Sequence, residues 1–132
     1  MDVRGKIENR FSETGSPAKI PMALEGCFQA WLTNEGIRVS NLGNQPLLPW
    51  AAFEEAVSLL AEEDGKARTG DAMKSKLGDD GLPLNSIEGR VAHRVYGRRL
   101  GDSVFRRITP IAGTLVWAGI CRRERGRLVL IR

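Results

Sequence analysis

The sequence predicts an α+β protein: a small β-rich N-terminal unit, residues 1–48, followed by a helical unit, residues 49–132, that closes in a β-hairpin. Three observations predict it. Short extended patterns broken by turn clusters fill the first unit. Apolar residues recur at helical spacing from Trp50 onward. The closing residues read strand, glycine turn, strand. At 132 residues the chain has the length of one domain.

Within the first unit, Val3, Gly5, Ile7, Asn9 and Phe11 alternate with polar positions, as on a half-buried strand. Residues 12–17 (SETGSP) form a turn cluster. Residues 18–24 are a second extended piece, interrupted by Pro21. Residues 27–33 and 36–42 flank Asn34-Glu35 as a hairpin, and a polar connector covers residues 43–46.

Pro49 opens a helix over residues 49–63, because proline suits a first helical turn. Trp50, Phe53, Val57 and Leu60 form its apolar stripe, with Ala56 and Leu59 beside them. Glu54, Glu55, Glu62 and Glu63 fall mostly outside it, and Gly65 ends the helix. Residues 64–83 are rich in glycine and charge and read as a long loop, with at most one short helical turn near 71–77. Loops of that length are usually functional or mobile.

The next helix follows Pro83. Asn85 caps it and Glu88 completes a box-like arrangement. Ile87, Val91 and Val95 make the apolar stripe, widened by Ala92 and Tyr96. Arg90, Arg94 and Arg98 make a second stripe, whose mutual repulsion an anionic partner would relieve. Gly97 and residues 98–102 turn the chain. Val104, Ile108, Ile111 or Ala112, and Leu115 then share a face, with Asp102 or Ser103 as cap. Pro110 leaves two readings: one kinked helix over 103–118, or two short helices, the second starting at Thr109-Pro110. Gly119 ends the helix in either case. Residues 120–123 and 127–131 flank a turn at 124–126, a hairpin with an arginine-rich tip.

Charge sharpens the division. The formal charge is +4. Residues 1–83 carry nine basic and thirteen acidic residues; residues 84–132 carry eleven basic and three acidic, Glu88, Asp102 and Glu124. All eleven are arginine, whose planar fork suits bidentate contact with phosphate and guanine. Such a split points to a polyanion-binding part. The alternative is a solvated basic face, or arginines paired with the acidic first part.

Residues 85–131 resemble a winged helix-turn-helix domain. The resemblance is carried by Leu115-Val116-Trp117-Ala118-Gly119-Ile120 followed by Gly126-Arg127-Leu128-Val129-Leu130: an apolar helix end, a tight Ala-Gly reversal, then two wing strands about a glycine turn. The link 97–103 is longer than in compact helix-turn-helix proteins. The resemblance implies DNA binding. Arg98, Arg99, Arg106 and Arg107 would then cluster at the turn and the start of the recognition helix, Arg90 and Arg94 on the helix before it, and Arg122, Arg123, Arg125 and Arg127 along the wing. The expected function is therefore non-catalytic binding of double-stranded DNA, as in a bacterial or phage-type transcriptional regulator. The acidic first unit would serve for dimerisation or docking.

Two other classes compete. A winged-helix module could dock an acidic protein through the same arginines. A nuclease could use Asp64-Gly65-Lys66 with Asp71, Asp79 or Asp80, but a magnesium site needs converging carboxylates, and this tripeptide lies at a helix end. Residues 65–71 lack the order of a phosphate loop, although Lys66, Arg68, Lys74 and Lys76 could touch nucleic acid from a flexible loop. His93 has no triad partner at a suitable spacing. Cys27 and Cys121 form neither a disulfide framework nor, with one histidine, a zinc set. Both are expected to be buried thiols, and Trp31, Trp50 and Trp117 to be packing anchors. No cofactor or metal is expected. No apolar run reaches the roughly 18–20 residues of a membrane helix, and the first residues lack the apolar core of a secretory signal. A cytoplasmic location is the expectation.

Overall fold

A computed structural model describes residues 1–131, leaving Arg132 outside the described residues. The fold is α+β, as expected. It opens, however, on a helix where a strand was expected: α1 (Val3–Thr14). Val3, Ile7 and Phe11 are four residues apart, and all three are buried on one face. Spacing by four satisfies both a strand and a helix. The helix wins because Gly5 and Asn9, which a strand would turn to the same side, offer nothing apolar to bury. Asp2 also caps it, accepting a hydrogen bond from the Gly5 amide at 2.9 Å.

Four strands follow: β1 (Ala18–Pro21), β2 (Cys27–Leu32), β3 (Gly36–Val39) and β4 (Leu47–Pro49). They pair in sequence order as an antiparallel meander. Ala18, Ile20, Phe28, Ala30, Ile37, Val39 and Leu48 point inward, while Lys19, Gln29 and Arg38 face out. Cys27 falls on the outer side and is exposed, contrary to its expected burial; Cys121 is buried. Trp31 is only half-buried, whereas Trp50 lies in the core.

Helix α2 (Trp50–Glu62) starts directly after Pro49 and buries the stripe read from the sequence. The Trp50 indole N–H donates to the Asn34 carbonyl at 2.9 Å, tying the β2–β3 turn to the helix start. The segment expected as one loop contains a strand, β5 (Lys66–Arg68). Helix α3 (Ile87–Arg94) is capped by Ser86, one residue later than Asn85; its hydroxyl accepts from the Gly89 amide at 3.1 Å. Helix α4 (Ile108–Trp117) is unbroken, and residues 98–107 before it are not helical. Pro110 therefore sits in the first turn, where a missing N–H costs nothing. The chain ends in the hairpin of β6 (Cys121–Glu124) and β7 (Arg127–Leu130), whose turn uses Gly126 at φ 71°. Strand β5 pairs with β7, giving the order β5-β7-β6.

One contiguous core joins α1, the meander, α2, α3, α4 and β7. A smaller cluster of Leu77, Leu82, Ala92 and Val104 holds residues 69–86 and 98–107 onto α3. The meander closes over α4 at Gly113: a Cβ there would lie 2.9 Å from the Phe28 ring and 3.5 Å from Ile20. Among the described residues, no helix is long and apolar enough to cross a membrane.

Candidate functional site

The ten arginines expected to meet DNA divide into separate groups. Two of them turn inward. Arg90 is buried between α3 and α2, where Nε reaches Glu55 at 2.9 Å and the two terminal nitrogens grip Glu62 at 2.6 and 2.8 Å. These bonds raise the Arg90 pKa and lower that of Glu62. Arg90 is thus a cross-link between helices and is unavailable to phosphate. Replacing it with alanine should destabilise the fold by about 2 kcal/mol, less than for a fully buried pair because Glu62 is half exposed. Denaturant melts of the two proteins check it.

Arg107 is the second. Its guanidinium lies 3.5 Å from the centre of the Tyr96 ring and 4.8 Å from that of Phe105, and it donates to Gln45 Oε1 at 2.7 Å. Arg94 is exposed near Glu62. Arg98 and Arg99 are exposed in the α3–α4 connection. Asp102 bonds the Arg99 amide at 2.8 Å and lies 3.7 Å from Arg98 Nε.

Four of the remaining five arginines gather, while Arg122, exposed on β6, does not line their groove. Arg106, Arg123, Arg125 and Arg127 line one open groove of about 340 Å³. Its walls are the start of α4, the β6–β7 turn and the β1–β2 loop, where Leu24 is 98% exposed. The Thr69 amide donates to the Gly126 carbonyl at 3.0 Å, joining the segment after β5 to the hairpin turn. That segment also brings Met73 within 3.1 Å of Arg106. Among the described residues a single acid lines the groove, Glu124, and Arg122 and Arg127 hold it at 2.8 and 2.7 Å. Those bonds keep the Glu124 carboxyl below its usual range, so it stays ionised and spent. Arg106, Arg123 and Arg125 make no ion pair among the described residues.

Helix α4 itself presents no reading surface. Its only polar side chains are Thr109 and Thr114, and Thr114 is fully buried. Phe28 and Ile20 cover the side at Gly113. A helix apolar nearly all round belongs to a core.

The carboxylates of the nuclease reading do not converge. Asp71 accepts from the Met73 and Lys74 amides, and Asp79 from the Lys76 amide, so both shape turns. Among the described residues, no three His, Cys, Asp or Glu side chains form a metal-binding group. His93 is exposed, and its Nδ1 lies 3.0 Å from the Arg98 carbonyl.

Sequence reasoning gave Glu88 to the box at the start of its own helix and missed what it does. It is fully buried, and instead of serving its own helix it caps the next one. Glu88 Oε1 accepts from the Arg107 and Ile108 amides at 2.7 and 3.1 Å, while Arg107 supplies no side-chain cap. A polar residue on the inner side of α3, next to Ile87 and Val91, was the available signal. No family model, curated protein or solved structure matches the chain.

Proposed function

We propose that this protein is a non-catalytic DNA-binding protein of the winged-helix type, which grips the phosphate backbone through its hairpin-side groove rather than by inserting a helix. The observation that carries the reading is the convergence of Arg106, Arg123 and Arg125 in one open groove, without an ion-pair partner among the described residues. Two further facts support it. The order α2-β5-α3-α4-β6-β7, with β5 closing on β7, is that of three helices packed on a three-stranded sheet with a terminal wing. The arginines project from the wing turn and the α4 start, where a backbone would lie. Binding of this kind depends on charge and groove shape more than on base identity.

Fluorescence anisotropy with a random-sequence duplex, at several salt concentrations, tests it. Affinity should fall steeply with salt. The Arg106→Ala/Arg123→Ala/Arg125→Ala variant should show a slope shallower by about 0.9 for each phosphate contact removed. Absence of binding at about 50 mM salt, where non-specific contacts are strong, would overturn the reading.

One observation favours a second reading, an acidic protein partner. Leu24 stands in the groove and Met73, 72% exposed, lies against Arg106, so apolar and cationic groups alternate on this surface. Failure to bind DNA together with salt-sensitive binding of an acidic protein would move the assignment there.

A further inference from the structure

We propose that a second, separate pocket beside Arg107 binds a small oxyanion that carries a planar ring. Arg106 and Arg107 are neighbours in sequence but face different clefts. Arg106 lines the hairpin-side groove; Arg107 lines a pocket of about 320 Å³ with Gln45, Tyr96, Arg98, Ser103 and Phe105. The inference does not depend on DNA binding.

The argument starts from an imbalance of charge. Arg90 and Arg107 are the two buried arginines among the described residues. Arg90 has two carboxylates. Among the described residues Arg107 has no ion pair and only neutral acceptors, the Gln45 side chain and the Phe105 carbonyl at 3.3 Å. A buried cation without a counter-charge is costly, and burial lowers the Arg107 pKa accordingly. Glu88 is the carboxylate facing it, but its ionised form is itself disfavoured there.

The rest of the lining suits an anion. Arg98 reaches the same pocket, and its side chain is about half exposed. It donates to the Ser103 carbonyl at 3.2 Å and lies 3.7 Å from Asp102, both exposed contacts with which an oxyanion can compete. Gln45 gives its oxygen to Arg107, and its amide nitrogen makes no hydrogen bond among the described residues. Two guanidinium groups and an amide are the donors an oxyanion takes. The wall is aromatic. Phe105 stays 38% exposed, leaving ring surface against which a planar group can stack.

Titration calorimetry on the full chain, with phenyl phosphate and inorganic phosphate as probes, tests the proposal. Phenyl phosphate should bind about fivefold more tightly than inorganic phosphate, the size of one aromatic contact. Phe105→Ala should abolish that advantage, and Arg98→Ala should weaken both probes about tenfold. Both substitutions are at solvent-accessible positions, so the variants should fold; melting curves confirm it. The Arg106→Ala/Arg123→Ala/Arg125→Ala variant should retain phenyl phosphate binding. Loss in that variant would place the anion in the other groove and overturn the proposal. It is equally overturned by equal affinity for the two probes, by unchanged affinity in Arg98→Ala, or by no saturable heat.

Discussion

Phe28→Ala should destabilise the protein by about 3–5 kcal/mol, the usual cost of emptying a large buried aromatic site. Phe28 is 2% exposed and its ring packs on α4 at Gly113. The cavity would open between the meander and the helical part. Because one core runs through both, a single unfolding transition should shift as a whole, by roughly 10–20 °C for a chain of this size. Far-ultraviolet circular dichroism and tryptophan fluorescence should report the same midpoint. Two resolved transitions, with only one shifted, would show that the N-terminal unit folds separately and would sink the prediction. Gly113→Ala is the companion test. Alanine is favoured over glycine within a helix by about 1 kcal/mol. Here its methyl group would press on Phe28, so the exchange should destabilise in spite of that preference.

The elements legible in the sequence are those whose own residues decide them. Helix α2 carries its apolar stripe over three turns, and the β6–β7 hairpin carries a glycine turn between two apolar ends. Elements decided by distant partners were not legible. Strand β5 is three residues long and has one inward side chain, Ala67, so no period can show; β7 defines it from 60 residues away. Helix α1 was read as a strand because a spacing of four fits both periods; the signals for a helix were the lack of apolar residues at Gly5 and Asn9 and the Asp2 cap.

The candidate site follows the same rule. The clustering of arginine in the last part of the chain was visible, and the groove draws Arg106, Arg123, Arg125 and Arg127 from it. The inward turns of Arg90 and Arg107 were not visible. Their partners Glu55, Glu62 and Gln45 stand 28 to 62 residues earlier, on other elements. The regular Arg90, Arg94, Arg98 spacing misled for a physical reason. The helix ends at Arg94, and a helical stripe cannot continue past its helix.

Glu88→Gln should make the protein more stable than the wild type above pH 7, by up to about 3 kcal/mol, and leave the two nearly equal below pH 4.5. Glu88 is fully buried; Oε1 takes two backbone donors and Oε2 has no partner. Burial pushes its pKa from 4.5 to about 7, against the pull of those two amides and of the Arg107 and Arg106 charges. Tyr96, the other titratable group near it, is pushed upward by burial and stays neutral throughout this range. The sign follows from linkage. Below pH 4.5 the carboxyl is protonated in the folded and the unfolded chain, and no stability is lost. Between 4.5 and 7 the unfolded chain releases the proton and the folded one retains it, so stability falls as pH rises. Above 7 the loss is complete, and a shift of this size corresponds to about 3 kcal/mol. Glutamine keeps the accepting oxygen and cannot ionise. Glu62 and Glu124 have lowered pKa values, so the stability they add disappears as pH falls, but it does so equally in both proteins and cancels in the difference. Denaturant melts of the pair at pH 5 and pH 8 measure that difference directly, and a difference independent of pH would sink the account. Because Glu88 already occupies the start of α4, the positive end of that helix is taken from within.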